Sequence, residues 1–146
     1  MNTTMTRFGY PNSLIRDYRH WVVLIRPVQP TPLSCVITAR SNATSLGELD
    51  KDAGAELPKV IHDYETTVRK IASAKRFNYL ALMMVDPNPH FHAIPRYAEP
   101  IQFSRVEYVD TMFPKPCDVL TGLELTADTL EEWRALLAAH WTTSDG

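Results

Sequence analysis

The stretch Asn88-Pro89-His90-Phe91-His92-Ala93-Ile94-Pro95-Arg96-Tyr97 sets two imidazoles at alternate positions among apolar and aromatic neighbours. In an extended strand alternate side chains share a face, so Asn88, His90 and His92 are expected on one side and Phe91 on the other. A histidine pair of this kind supports three chemistries. The rings can be core histidines bonded to backbone, ligands of a metal ion, or the nucleophile and acid of a catalytic site. The metal reading needs a third ligand, for which His20, His62 and Asp86 are candidates, and their spacing singles out none of them. An imidazole with the ordinary pKa of about 6.5 is largely unprotonated at neutral pH, which makes it a nucleophile that buries no permanent charge.

The elements that must carry this strand are readable in outline. His20 to Ile25 is rich in β-branched and aromatic residues and stops at Arg26-Pro27, as a buried strand does. Pro27 to Pro32 reads as a connection, because each proline removes a ladder donor, and Leu33 to Ala39 gives a second strand. From Asn42 to Arg76 apolar residues recur at helical spacing, with Asp50 as N-cap and Pro58 as a kink or the start of a second portion. Arg69, Lys70, Lys75 and Arg76 near its end complement the helix dipole. Phe77 to Val85 is nearly continuous in apolar character and reads as a central strand, closed by the turn signal Asp86-Pro87. Ile101 to Val109 is read as one further strand, 111–120 as irregular, and 126–141 as a helix capped by Thr126 or Asp128. Residues 1–6 are polar and read as a loose terminus ahead of a single domain spanning 1–146.

Composition narrows the function classes. A formal charge of -2 argues against a binder of polymeric nucleic acid, while leaving room for a nucleotide pocket with a few local donors. No apolar run is long enough to span a bilayer and no signal-like segment opens the chain, so a cytoplasmic protein without membrane contact is expected. Cys35 and Cys117 read as ordinary thiols, and Trp21, Trp133 and Trp141 as packing anchors.

The histidine stretch resembles the signature of the histidine-triad family of nucleotide hydrolases and transferases, with Asn88 where the first histidine belongs. Pro95-Arg96-Tyr97 after the motif, Asn78 at the start of the preceding strand, and the order of elements from Tyr18 to Tyr97 carry the same resemblance. It implies an α+β fold, HIT-like, with a mainly antiparallel five-stranded sheet, a long helix and a C-terminal helix. It also implies a nucleophilic His90 that takes up a nucleotidyl group from the α-phosphate. His92 would serve the leaving group, with Asn88 as the third member of the catalytic set. Asn78 and Arg96 are assigned to nucleotide binding, a surface ion pair being the alternative for Arg96. No metal or cofactor is required, and the expected partners are a nucleotide or nucleotide conjugate and a second copy in a homodimer. Met83-Met84-Val85 replaces the polar stretch that commonly precedes the motif, and Ile25-Arg26 stands where a ribose-binding carboxylate is expected. Those departures keep two alternatives open: a nucleotide-binding module with little turnover, and a metal-binding protein.

Overall fold

The computed structural model describes residues 1–144. Its centre is a five-stranded antiparallel sheet ordered β1-β2-β4-β6-β5, built from β1 (Leu14–Asp17), β2 (Trp21–Ile25), β4 (Cys35–Ala39), β6 (His90–Arg96) and β5 (Arg76–Leu80). Every residue of β2 and β4 is buried, which explains their unbroken apolar runs: both faces of the sheet are covered. One face, through Trp21, Val23, Ile25, Cys35, Ile37 and Ala93, packs on helix α2 (Lys51–Ala72) and on α3 (Ala127–His140). The opposite face carries Val22 and Leu24, which meet Met5, Phe8, Tyr10 and Leu14.

The local signals for the helices are realised. Asp50 caps α2 by accepting from the Ala53 amide at 2.8 Å, and Thr126 caps α3 by accepting from the Thr129 amide at 3.1 Å. Pro58 lies within α2 without dividing it. Pro58 and Gly54, whose carbonyl the proline cannot meet, are both exposed, so water can satisfy what the helix leaves open. Trp133 and Leu137 dock α3, and Trp21 donates its indole N–H to the Ala53 carbonyl at 2.8 Å.

Three sequence expectations are corrected. Residues 1–6 are not loose: Thr3–Arg7 forms helix α1, capped by Asn2, whose amide also donates to the Ala39 and Ser41 carbonyls at 2.7 Å each. A five-residue helix has little stability alone, and this one exists because Met5 is buried on β2. The strand expected over Phe77 to Val85 ends at Leu80, whose partner is His92: the chain leaves β6 there although β6 runs on to His90, and Leu82, Met84 and Val85 are exposed. Ile101 to Val109 is not one strand but a hairpin, β7 (Ile101–Phe103) against β8 (Val106–Tyr108). A second small pairing joins β3 (Val28–Gln29) to β9 (Leu123–Glu124). Glycine is required beside it, because a Cβ on Gly122 would stand 2.2 Å from the Gln29 carbonyl oxygen.

Candidate functional site

Strand β6 is central, paired with β4 on one side and β5 on the other. Its alternation sends Ala93 into the α2 core, with Phe91 packed against it 6.2 Å from the Trp21 ring, and leaves His90, His92, Ile94 and Arg96 on the opposite face. His90 lies opposite Thr38, and His92 lies between Val36 and Leu80. The two imidazoles meet edge to face with centroids 5.2 Å apart.

His90 is buried, at 1% exposure, and its Nδ1 stands 2.8 Å from the Asn88 carbonyl oxygen. A carbonyl can only accept, so Nδ1 carries a proton, and in the neutral tautomer this selects, the lone pair is on Nε2. That is the arrangement a nucleophilic imidazole needs. His92, 9% exposed, has a buried Nδ1 with no hydrogen-bond partner. Burial, the Arg26 charge and the His90 charge together lower its pKa to about 4, so the ring is neutral at pH 7. The phenyl ring of Phe8, just past the end of α1, lies 5.8 Å from His90 and 5.7 Å from His92 between centroids and lids both.

The low pKa of His92 has a thermodynamic consequence. Unfolded, the ring titrates near 6.5, so between pH 6.5 and 4 the unfolded chain binds more protons than the folded one and acid destabilises the fold. From this group the expected loss between pH 7 and pH 4.5 is on the order of 2 kcal/mol. His92→Gln should flatten that part of the profile in urea titrations run at successive pH values. Equal slopes for wild type and variant between pH 4.5 and 6.5 would contradict the assignment.

Asn88 does not join the two histidines. It precedes β6, and its side chain turns to the start of the chain: Oδ1 accepts from the Thr4 amide at 3.2 Å and from the Thr3 hydroxyl at 3.4 Å, and Nδ2 donates to the Ala43 carbonyl at 2.9 Å. Its own amide donates to the Thr4 hydroxyl at 3.1 Å. The expected convergence of three polar side chains is therefore corrected to two, with Asn88 contributing its backbone carbonyl. Asn88→His should lose these three side-chain bonds and destabilise the fold by about 3 kcal/mol, at roughly 1 kcal/mol per hydrogen bond, without raising turnover. A tenfold gain on a nucleoside phosphoramidate, with unchanged denaturation midpoint, would show that position 88 serves the site directly.

Asn78 and Arg96 are together, but not free. Arg96 is buried and bidentate with Asp110, Nε to Oδ2 at 2.7 Å and Nη2 to Oδ1 at 3.1 Å, while Nη1 donates to Asn78 Oδ1 at 2.9 Å. The surface ion pair considered for Arg96 is thus a buried one. Burial works against the Asp110 charge, yet the Arg96 and Tyr97 hydrogen bonds hold its carboxyl below the usual range. Beside this group lies a cavity of about 290 Å³ lined by Asn78, Leu80, Arg96, Cys117 and Val119 among others. Asp86, a candidate third metal ligand, pairs with Arg7 at 2.9 Å, and among the described residues no cluster of three or more histidine, cysteine or acidic side chains is placed to hold a metal. Phe8 and Asp110 were not singled out in the sequence. Their partners lie far along the chain, so no local pattern marks them.

No protein-family model matches the sequence, and no curated protein matches it. Solved structures do. A histidine triad protein from Bradyrhizobium japonicum superposes with a TM-score of 0.71 at 18% identity, covering 97% of each chain. A hypothetical histidine triad nucleotide-binding protein from Sulfolobus tokodaii gives 0.70 at 14% identity over 94% of this chain and 88% of that one. The diadenosine triphosphate hydrolase of Plasmodium falciparum gives 0.64 at 10% identity over 89% and 76%. With a five-stranded antiparallel sheet, a long helix across one face, a C-terminal helix and histidines on a central strand, the chain has the fold of the histidine triad proteins.

Proposed function

We propose that the protein is a nucleotide hydrolase or nucleotidyl transferase acting at the α-phosphate of a nucleoside phosphoester, phosphoanhydride or phosphoramidate. The observation that carries this reading is the hydrogen bond from His90 Nδ1 to the Asn88 carbonyl, which leaves Nε2 unprotonated beside a second imidazole. Nε2 attacks phosphorus, the bond to the leaving group breaks, and the nucleotidyl group stays on His90 until water or an acceptor alcohol takes it. His92 enters the reaction neutral. A phosphate bound against it favours its protonated form, from which it can donate to the departing atom. Because His90 is 1% exposed, with the Phe8 ring against it, side chains around the imidazole must shift for a phosphate to reach Nε2. The names of the Sulfolobus and Plasmodium proteins, nucleotide-binding and hydrolase, support the same class.

Two observations favour the second reading, a binding module with little turnover: Phe8 packs against both imidazoles, and the Asn88 side chain is bonded to α1. Mass spectrometry of the protein after brief exposure to a nucleotide panel separates the two. A nucleotidyl adduct on His90 supports the enzyme; saturable nucleotide binding with neither adduct nor turnover supports the module. We extend the proposal to a cytoplasmic homodimer that pairs through the outer edge of β5, which ends the sheet, and the adjoining α2. No helix among the described residues is long and apolar enough to cross a membrane.

A further inference from the structure

Arg26 directly follows β2 and is only 8% exposed. Its amide donates to the Ser34 carbonyl at 3.1 Å, extending the β2–β4 ladder by one position. Alternation then puts its side chain on the face of Val22 and Leu24, which is the face of His90 and His92. Across the sheet His90 lines up with Thr38 and Val22, and His92 with Val36 and Leu24; Arg26 stands in the row after that of His92, with Ser34 and Ile94. Its Nη2 donates to the Val119 carbonyl at 2.5 Å, and Val119 lines the cavity shared by Asn78, Leu80 and Arg96 of β5 and β6. The side chain therefore reaches back over the sheet from β2 towards the histidine strand.

Nη1 of Arg26 is buried with no hydrogen-bond partner among the described residues, and so is Nδ1 of His92. Two orphaned nitrogens on one face of one sheet point to a ligand that the polypeptide does not supply. A guanidinium does not give up its proton to escape the cost of burial, so the group that completes Arg26 is an anion. Among the described residues no carboxylate forms an ion pair with Arg26, Asp110 being committed to Arg96. The nearby Cys117 thiol is pushed up by burial and stays neutral.

We propose that Arg26 is an anion-binding residue of the His90–His92 site, and that the substrate carries a second phosphate beyond the one presented to His90. This inference rests on the nucleotide reading of the site. Arg26 stands on β2 one cross-strand row further from His90 than His92 does, so its partner is a different group from the phosphate under attack. In a nucleotide that group is a phosphate, either in the phosphate chain or on the sugar.

Calorimetric titration of the full chain with AMP, α,β-methylene ADP and adenosine 3′,5′-bisphosphate tests this, with the guanosine series run in parallel. At least one two-phosphate ligand should bind wild type tenfold or more tightly than its monophosphate. Preference for the methylene diphosphate places the second phosphate in the chain, and preference for the bisphosphate places it on the sugar. In Arg26→Met the ratio should fall to within twofold of one, and Arg26→Lys should retain part of it. The melting temperature of Arg26→Met should not fall, because the variant removes a buried charge with no counter-ion. Equal affinities in wild type, or a preference that survives in Arg26→Met, would overturn the inference while leaving the nucleotide reading intact. Loss of monophosphate and two-phosphate binding alike in a folded Arg26→Met would overturn it too, by placing Arg26 on the reacting phosphate. Failure of every nucleotide to bind wild type would sink the nucleotide reading and the inference with it.

Discussion

Replacing His90 with alanine or asparagine should lower turnover by about a thousandfold or more, which corresponds to roughly 4 kcal/mol of barrier. The size follows from the role: a residue that forms the covalent bond has no substitute, whereas a residue that only positions substrate leaves much of the rate behind. His90 also donates to the Asn88 carbonyl and touches Phe8, so either variant removes a buried contact as well as the proposed nucleophile. Rates must therefore be compared at equal folded concentration, with far-UV circular dichroism and a denaturation midpoint for each protein. Asparagine keeps a donor for the Asn88 carbonyl and makes the fairer comparison. Turnover within tenfold of wild type would remove His90 from the covalent role.

Asp110→Ala should cost about 3–5 kcal/mol of folding stability, read from urea or guanidinium titrations. The carboxylate and its partner Arg96 have side chains 2% and 3% exposed, and alanine would strand two guanidinium nitrogens and the Tyr97 amide in the interior. Breaking one side of such a pair is far worse than replacing both. The double variant Arg96→Met/Asp110→Leu should accordingly recover much of the loss, although it also frees Asn78 from Arg96. A loss below about 1 kcal/mol in Asp110→Ala would mean that water reaches the pair.

The features that the sequence disclosed and those that it hid divide along contact distance. Asp50 and Thr126 announce their helices because a cap and its acceptor lie three residues apart. The alternation of His90 and His92 is likewise local, and the strand realises it. Asn88 belonged to the same alternation by spacing, but its side-chain amide meets Thr4 and Ala43, and bonds across such separations leave no periodic trace. Arg96 and Asp110 found each other in the same silent way, through a turn of the chain after β6. The overlong strand to Val85 shows the converse error: apolar composition persists past Leu80, but Leu82, Met84 and Val85 are exposed and make no strand pairing, so composition alone does not mark the end. Met5, a single buried anchor among polar residues, carries too little pattern to announce a helix.

Asn88 ties two distant parts of the molecule through one residue. Its side chain grips the backbone of α1, and its carbonyl oxygen receives the proton on His90 Nδ1. The start of the chain is therefore mechanically connected to the electronic state of the reactive ring. The other end of the Asn88 amide is held by the Ala43 carbonyl, so three separate stretches of chain fix the oxygen that selects the tautomer of His90. The ¹⁵N resonances of His90 read that tautomer directly.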